Sequence, residues 1–394
     1  MIAGVRPAVI PGQRWGTVLR TISLKLLHTV PVLLIVSFAT LALLELVPGD
    51  PAVSVLGADA RPEDYARVRE QLGLDQPLPE RYVSWLGSAV TGDLGNSVVH
   101  PSRSVWSLIA SRLPVTLQIA GMALVMALLI SIPVGMFAAS RVGSAFDRAT
   151  AASTSGLISL PPFVAGLLLI YLFVFNPHVP RWLFLAAALL GAGWLAWYTL
   201  RLLRSHDLTR SETTWQVVGV GAMLAVGIGV FLMWPSFPRQ GFSRITGDGG
   251  IGENLRTAFL PALTVALTEV AVFARLLRSD MISTLQEDYI LASRAKGMPV
   301  RRILLRDALR PSSFSLITLA GVSLGRLVGG TVIVETIFNL PGMGRLIIQD
   351  GVIVNDFPVV QGAVLVIAVV YVALNALVDI SYAVLDPRIR RGAA

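Results

Sequence analysis

No cysteine occurs in these 394 residues, which excludes disulfides and thiolate metal sites outright. Lysine is nearly missing as well: of 32 basic residues only Lys25 and Lys296 are lysines. A phosphate-cradling loop of the form G-x-x-x-x-G-K-[ST] needs Ser or Thr after its lysine, and here Leu26 and Gly297 follow instead. The chain is therefore not expected to hydrolyse ATP itself. The histidines His28, His100, His178 and His206 lie far apart, with no ligand spacing and no H-E-x-x-H, so no metal site is expected. No catalytic constellation stands out, and an enzyme is not supported.

Charge is scarce too. Only 14% of residues are charged against 54% hydrophobic, and the mean hydropathy is +0.70, outside the range of a soluble domain with a polar surface. The net charge of +8 does not point to nucleic acid, because the basic residues fall in the gaps between apolar runs rather than along one stripe. What fills the chain instead is a series of apolar runs long enough to cross a bilayer as helices. They lie at 26–47, 114–139, 156–175, 182–200, 217–234, 316–334 and 359–380, with a shorter eighth at 259–274 that carries Glu269. The expected fold class is an all-α integral membrane protein, a polytopic bundle of about eight transmembrane helices.

Lys and Arg are in excess on the cytoplasmic side of membrane proteins. With both termini inside, 20 basic residues are cytoplasmic and 11 lie outside, with Arg326 within a span; the inverted topology reverses that ratio. The segment 1–25 is then cytoplasmic, and the first run is expected to be retained, since it is of full spanning length and lacks a small-residue cleavage site. Glu45 and Asp379 fall near span ends and are expected at the interface.

The outer segment 48–113 is long enough to fold. Pro62, Glu63 and Asp64 open a helix that carries Arg67 and Arg69 near its end and stops at Gly73. Tyr82, Trp85 and Leu86 are expected to rest at the lipid interface. Such a segment is either a lid over the helix ends or a docking surface for a substrate-delivery protein, and spacing alone favours the lid.

From Arg275 to Pro311 the chain is hydrophilic and basic for far longer than a tight turn requires. Leu285, Tyr289, Ala292 and Ala295 recur at helical spacing and are expected to share one small or apolar face. Gly297 ends that helix, Pro299 blocks its continuation, and Val300, Ile303, Leu304 and Ala308 mark a second face. Two short helices across a Gly-Met-Pro break make a knob. By these residues alone, a knob inserted into a cleft of a cytoplasmic partner and an amphipathic hairpin lying on anionic lipid are equally good readings.

The segment DYILASRAKG, Asp288 to Gly297, resembles the coupling loop of permeases of binding-protein-dependent ABC importers, in the form typical of dipeptide and oligopeptide (peptide/nickel) permeases. PGDPA (48–52), LGLDQPLPERYVSWL (72–86), GDLGNS (92–97), RLPVTL (112–117), ETIFNLPGMGRL (335–346), FPVVQG (357–362) and LVDISYAVLDPRIR (377–390) resemble the same family in the same order. The resemblance implies a six-helix permease core, made of the first transmembrane helix at 26–47 and the transmembrane domain 114–391 without its inserted hairpin, in a bacterial plasma (inner) membrane. Its coupling loop, within 278–311, docks in a groove of an ATP-hydrolysing subunit through Asp288, Tyr289, Ala292, Arg294, Ala295, Lys296 and Gly297. It also implies a second homologous permease subunit, two ATPase subunits that carry the ATP and Mg, and an extracytoplasmic binding protein, with no cofactor on this chain. Ser293, Asp307 and Pro311 depart from the family's pattern, which leaves the exit of the second helix open.

The stretch 176–256 looks longer than the family's usual connection and holds two of the candidate spans. It is expected to form a helical hairpin added to the core, with Arg201, Arg204 and Arg210 in its turn. Charges inside spans are costly and are functional candidates by default. Arg326 lies among Gly321, Gly325, Gly329 and Gly330, which allow close helix approach. It is expected either to pair with Glu269, ordering the bundle, or to contact a peptide carboxylate in the pathway. The competing class of function is a secondary transporter or channel, which needs a self-sufficient ion-coupling site in two related halves, and no such repeat is found.

Overall fold

A computed structural model of the chain describes residues 29–46, 51–57, 60–71, 73, 75–204 and 210–385. The segment 1–25, most of the PGDPA motif, five residues of the hairpin turn and the chain after Leu385 lie outside the described residues, as does the side chain of Asp379. Among the described residues all regular elements are helical, apart from one bridge pairing Asn96 with Ser104. In order they are α1 (Thr29–Leu44), α2 (Pro51–Leu56), α3 (Pro62–Gln71), α4 (Leu78–Val90), α5 (Val105–Ser140), α6 (Ala145–Ser159), α7 (Pro162–Ile170) and α8 (His178–Arg204). There follow α9 (Arg210–Leu232), α10 (Gly250–Leu285), α11 (Asp288–Ala295), α12 (Val300–Arg302), α13 (Leu309–Gly330), α14 (Val332–Ile337), α15 (Met343–Ile347) and α16 (Phe357–Leu385). Five of these helices are long and apolar enough to cross a membrane, α6 with α7 makes a broken sixth, and α1 and the apolar part of α9 are shorter apolar helices. The chain is an all-α, multi-pass membrane protein.

Two expected spans need correction. The run 156–175 is not one helix: Pro161 holds Leu160 extended (φ −84°, ψ 117°), so α6 stops at Ser159 and α7 begins at Pro162. The eighth run, expected to be short, is the middle of the 36-residue α10, and 72% of its apolar window is buried. It reads as short in sequence because polar residues flank it on both sides while the helix continues through them.

The described residues form two compact units, one up to Pro162 and from Ala262 onward, the other Phe163–Pro261. In the first, α5 is opened by Ser104, whose hydroxyl accepts the amide of Ser107 at 3.2 Å. Its buried side carries Thr116, Ala120, Ala123, Ala127, Ser131, Gly135 and Ala138 at helical spacing, all small enough for close approach. At Gly135 the approach is closest: a side chain there would lie 2.9 Å from the carbonyl oxygen of Ala274 on α10. On α13, a side chain at Gly321 would collide with Val378, and one at Gly325 would press on Tyr371 and Asn375, so these glycines seat α13 on α16.

Of the α4 side chains expected at the lipid interface, Tyr82 is packed inside instead. Tyr82 is buried against α1, where its ring meets Phe38 edge-on at 5.2 Å and its hydroxyl pairs with that of Ser37 at 2.8 Å. A phenol whose oxygen has a protein partner is better placed inside than at a headgroup. At the far end of α1, Glu45 pairs with Arg81 at 2.8 Å. Three of the motifs, GDLGNS, ETIFNLPGMGRL and FPVVQG, meet against the start of α5. Leu94, Val105 and Ile109 pack with Met343, Leu346, Val359 and Ala363, and Asp356 accepts hydrogen bonds from the Ser97 hydroxyl and from the amides of Val98 and Val99.

The second unit contains the expected hairpin. Its helices α8 and α9 meet through small residues: Gly191 lies under Met223, and Gly227 against Ala188. Trp182 and Phe231 close one end with ring centroids 4.6 Å apart, and the Arg181 guanidinium sits 4.1 Å over the Phe231 ring. After α9, Phe237 stacks on Phe259 at 5.1 Å, and the Asn254 side chain donates to the Ser243 carbonyl at 2.7 Å.

Candidate functional site

The knob begins where α10 ends. Glu287 is extended (φ −69°, ψ 147°), and α11 starts at Asp288, an acid in the first turn where the helix dipole favours it. At its end Gly297 adopts φ +71°, its amide donates to Arg294 and that of Met298 to Ser293. This is a helix stop built on a left-handed residue, a conformation that glycine takes without steric cost. Pro299 then opens α12, which passes through a π-helical turn (Ile303–Ala308) into α13.

Ile290, Ile303 and Ala308 are buried and anchor the knob, and the Thr284 and Ser312 hydroxyls meet at 2.9 Å across its base. The Tyr289 hydroxyl donates to the Asp307 carbonyl at 3.3 Å, joining the two short helices. Partial burial, reinforced by the carboxylates of Glu287 and Asp307, pushes this phenol above its usual range, so it stays a neutral donor. The apolar face expected on Leu285, Tyr289, Ala292 and Ala295 is therefore not the packed one. Leu285 belongs to α10, the break at Gln286 and Glu287 resets the helical phase, and Ile290 takes the inward position. Asp288, Tyr289, Ala292, Arg294, Ala295, Lys296 and Gly297 are all exposed.

Of the intramembrane charges, Glu269 on α10 and Arg326 on α13 are brought together. The Arg326 Nη2 donates to both carboxylate oxygens, at 2.8 and 3.0 Å, and to the Ser323 hydroxyl at 3.1 Å; Ser323 itself donates to Glu269 at 2.9 Å. The two partners differ in exposure, with the side chain of Glu269 only 5% accessible and that of Arg326 61%. Arg326 stands four residues before the end of α13 at Gly330, and a charge within a span is costly and a functional candidate by default. Ser323 stands in the run Gly-Val-Ser-Leu-Gly (321–325), which has the spacing of a nucleophile elbow. It lies inside α13 rather than at a strand-to-helix turn, and its hydroxyl is committed to Glu269, so the spacing carries no catalysis.

Two further buried acids escape a reading by sequence. Asp147, in the first turn of α6, pairs with Arg278 on α10, whose Nη2 donates at 2.8 Å, and also accepts the Gly143 amide at 2.9 Å. Arg278 looks like one more basic loop residue; only the continuation of α10 past the apolar run places it on a helix. Glu335 is fully buried and forms no ion pair among the described residues. It accepts from the hydroxyls of Thr116 (2.6 Å) and Thr331 (3.0 Å) and from the Gly344 amide (2.7 Å), tying α5 and α14 to the start of α15. Its sequence signals were its place at the head of the family-like motif ETIFNLPGMGRL (335–346) and at the end of the run Thr-Val-Ile-Val (331–334), neither of which names its partners.

Residues 215–391 match the family described as binding-protein-dependent transport system inner membrane component, and residues 18–120 match its membrane-component N-terminal family. The chain is 33% identical over 363 residues to a Brucella abortus protein named as a peptide transport system permease, covering 92% of this chain and 96% of that one. It is 30% identical to a Sinorhizobium fredii protein named as a peptide ABC transporter permease, over 93% of this chain and 97% of the other. To the dipeptide transport system permease protein of Escherichia coli it is 31% identical, over 92% and 96% of the two chains.

Proposed function

This chain belongs to the family of binding-protein-dependent transport system inner membrane components, and we propose that it forms the translocation pathway of an ATP-driven importer together with a second, homologous permease. The solutes are peptides or similar small molecules delivered by an extracytoplasmic binding protein, a reading supported by the names of its relatives. Both termini lie in the cytoplasm, a reading supported by the distribution of Lys and Arg.

The observation that carries the proposal is the knob. Its seven exposed residues combine small side chains with charges of both signs on a stop fixed by Gly297, while Ile290, Ile303 and Ala308 fasten it from behind. A rigid, exposed pair of short helices with small residues outward fits a cleft in a separate ATPase subunit. Closure of that subunit then moves the knob and, through it, α10 and α13.

Purification of the chain in mild detergent from its native membrane tests the proposal. A second permease and an ATPase are expected to accompany it, and Gly297→Val is expected to abolish substrate-stimulated ATP hydrolysis without reducing membrane insertion, because valine does not tolerate φ +71°. A chain that purifies alone, or normal uptake by the Val variant, overturns the coupling assignment.

A further inference from the structure

The exposed side of α13 differs in kind from the exposed side of α5. Along α5 the outward positions of the apolar stretch are Leu117, Val125, Leu129, Ile130 and Phe137, a surface suited to acyl chains. Along α13, beside the exposed Phe314 and Ile317 nearer its start, the outward positions Ser315, Thr318, Val322, Arg326 and Gly329 follow one another at steps of three and four, so they form a single, more polar stripe. The opposite side of α13, with Leu316, Ala320, Leu327 and Val328, is buried.

Arg326 decides what this stripe faces. Among the described residues all of its hydrogen bonds run through Nη2, which holds it to Glu269 and Ser323, and Nε and Nη1 have no partner there. A guanidinium keeps its proton, so these donors need water or an anion wherever the stripe faces. Hydrocarbon supplies neither. Glu269 lies behind, almost fully covered, and fixes the orientation of the guanidinium while leaving the positive end outward.

We propose that the α13 stripe Ser315, Thr318, Val322, Arg326 and Gly329 lines the water-filled translocation pathway, and that Arg326 is its contact for a carboxylate on the passing solute. The assignment rests on the pathway-forming role proposed above. Glu269 and Ser323 act as positioning residues for that contact.

The absence of cysteine makes the chain its own thiol-free background. In the assembled transporter, Ser315→Cys and Val322→Cys are reacted with an anionic sulfonate-bearing and a cationic trimethylammonium-bearing thiosulfonate, with Val125→Cys and Leu129→Cys on α5 as lipid-facing controls. Thiolate chemistry needs water, so the stripe cysteines are expected to react at least about tenfold faster than the controls. The ratio of anionic to cationic rates at Val322→Cys is expected to fall at least about threefold with Arg326→Gln, as the local potential loses its positive source. Because that variant strands Glu269, Arg326→Gln combined with Glu269→Gln is measured as well and is expected to lower the ratio too. Stripe cysteines no faster than the controls, or a ratio unmoved in both backgrounds, overturn the proposal. Labelling needs neither ATP nor a known solute, so its failure is distinct from failure of the importer reading, which the purification tests.

Discussion

The core unit and the hairpin are both built from apolar helices, yet they are held together differently. In the core, Glu335, Asp356, Asp147 and Glu269 are buried acids, each bonded to residues distant in sequence. In the hairpin, α8 and α9 meet through glycine, alanine and methionine with rings and an arginine at one end, and among the described residues buried Thr199 bonds to the Leu195 carbonyl of its own helix (2.8 Å) and to no other helix. Between helices in a bilayer the hydrophobic effect offers no preference, so packing and polar contacts must choose the arrangement. Polar nodes specify one arrangement among many; small-residue packing specifies mainly that two helices are close. The core is thus the part whose geometry is defined, and the hairpin the part that tolerates change.

The comparison breaks or sharpens under substitution. Glu335→Ala leaves two threonine hydroxyls and the Gly344 amide without their acceptor, and is expected to cost about 3–5 kcal/mol, read as a lower thermal midpoint of the purified protein. Asp147→Asn removes the carboxylate of the Arg278 pair while keeping its shape; about 2–3 kcal/mol is expected in the same assay. In the hairpin, Gly227→Val drives side-chain atoms into Ala188, and a cost of about 1–2 kcal/mol is expected from overpacking. Thr199→Val, which deletes a buried hydroxyl bonded only within its own helix, is expected to change stability by less than about 0.5 kcal/mol. Should Thr199→Val cost as much as Asp147→Asn, the distinction between the two regions fails.

What was legible in the sequence follows the same division. Helices announced by long apolar runs, the hairpin among them, and the knob with its Gly297 stop could be read because their signals are local. Three matters were not local. The break of α6 from α7 required weighing Pro161 and Pro162 against a strong apolar run. The length of α10 was hidden because a helix that continues into polar surroundings loses its hydropathy signal without losing its hydrogen bonds. The partners of Asp147 and Glu335 lie 131 and 219 residues away, and no spacing rule reaches that far. Glu269 and Arg326 could be nominated as a pair because both stand out as charges within apolar runs. The difference in their exposure, 5% against 61%, belongs to the packed structure alone.

The unbroken part of α10 has a mechanical consequence. From Leu285, where the knob is attached through two residues, to Glu269 the helix rises about 24 Å at 1.5 Å per residue. Gly135 on α5 sits against its backbone at Ala274, roughly a third of the way from Glu269, where a close backbone contact makes a natural fulcrum. Pivoting there by about 5°, the Leu285 end, about 16 Å from the fulcrum, moves about 1.4 Å and the Glu269 end, about 8 Å from it, moves about 0.7 Å; the first is comparable to the helix shifts that separate alternative packed states. The chain can therefore transmit a nudge at its rim to the Glu269–Arg326 pair as leverage, with no helix needing to melt along the way.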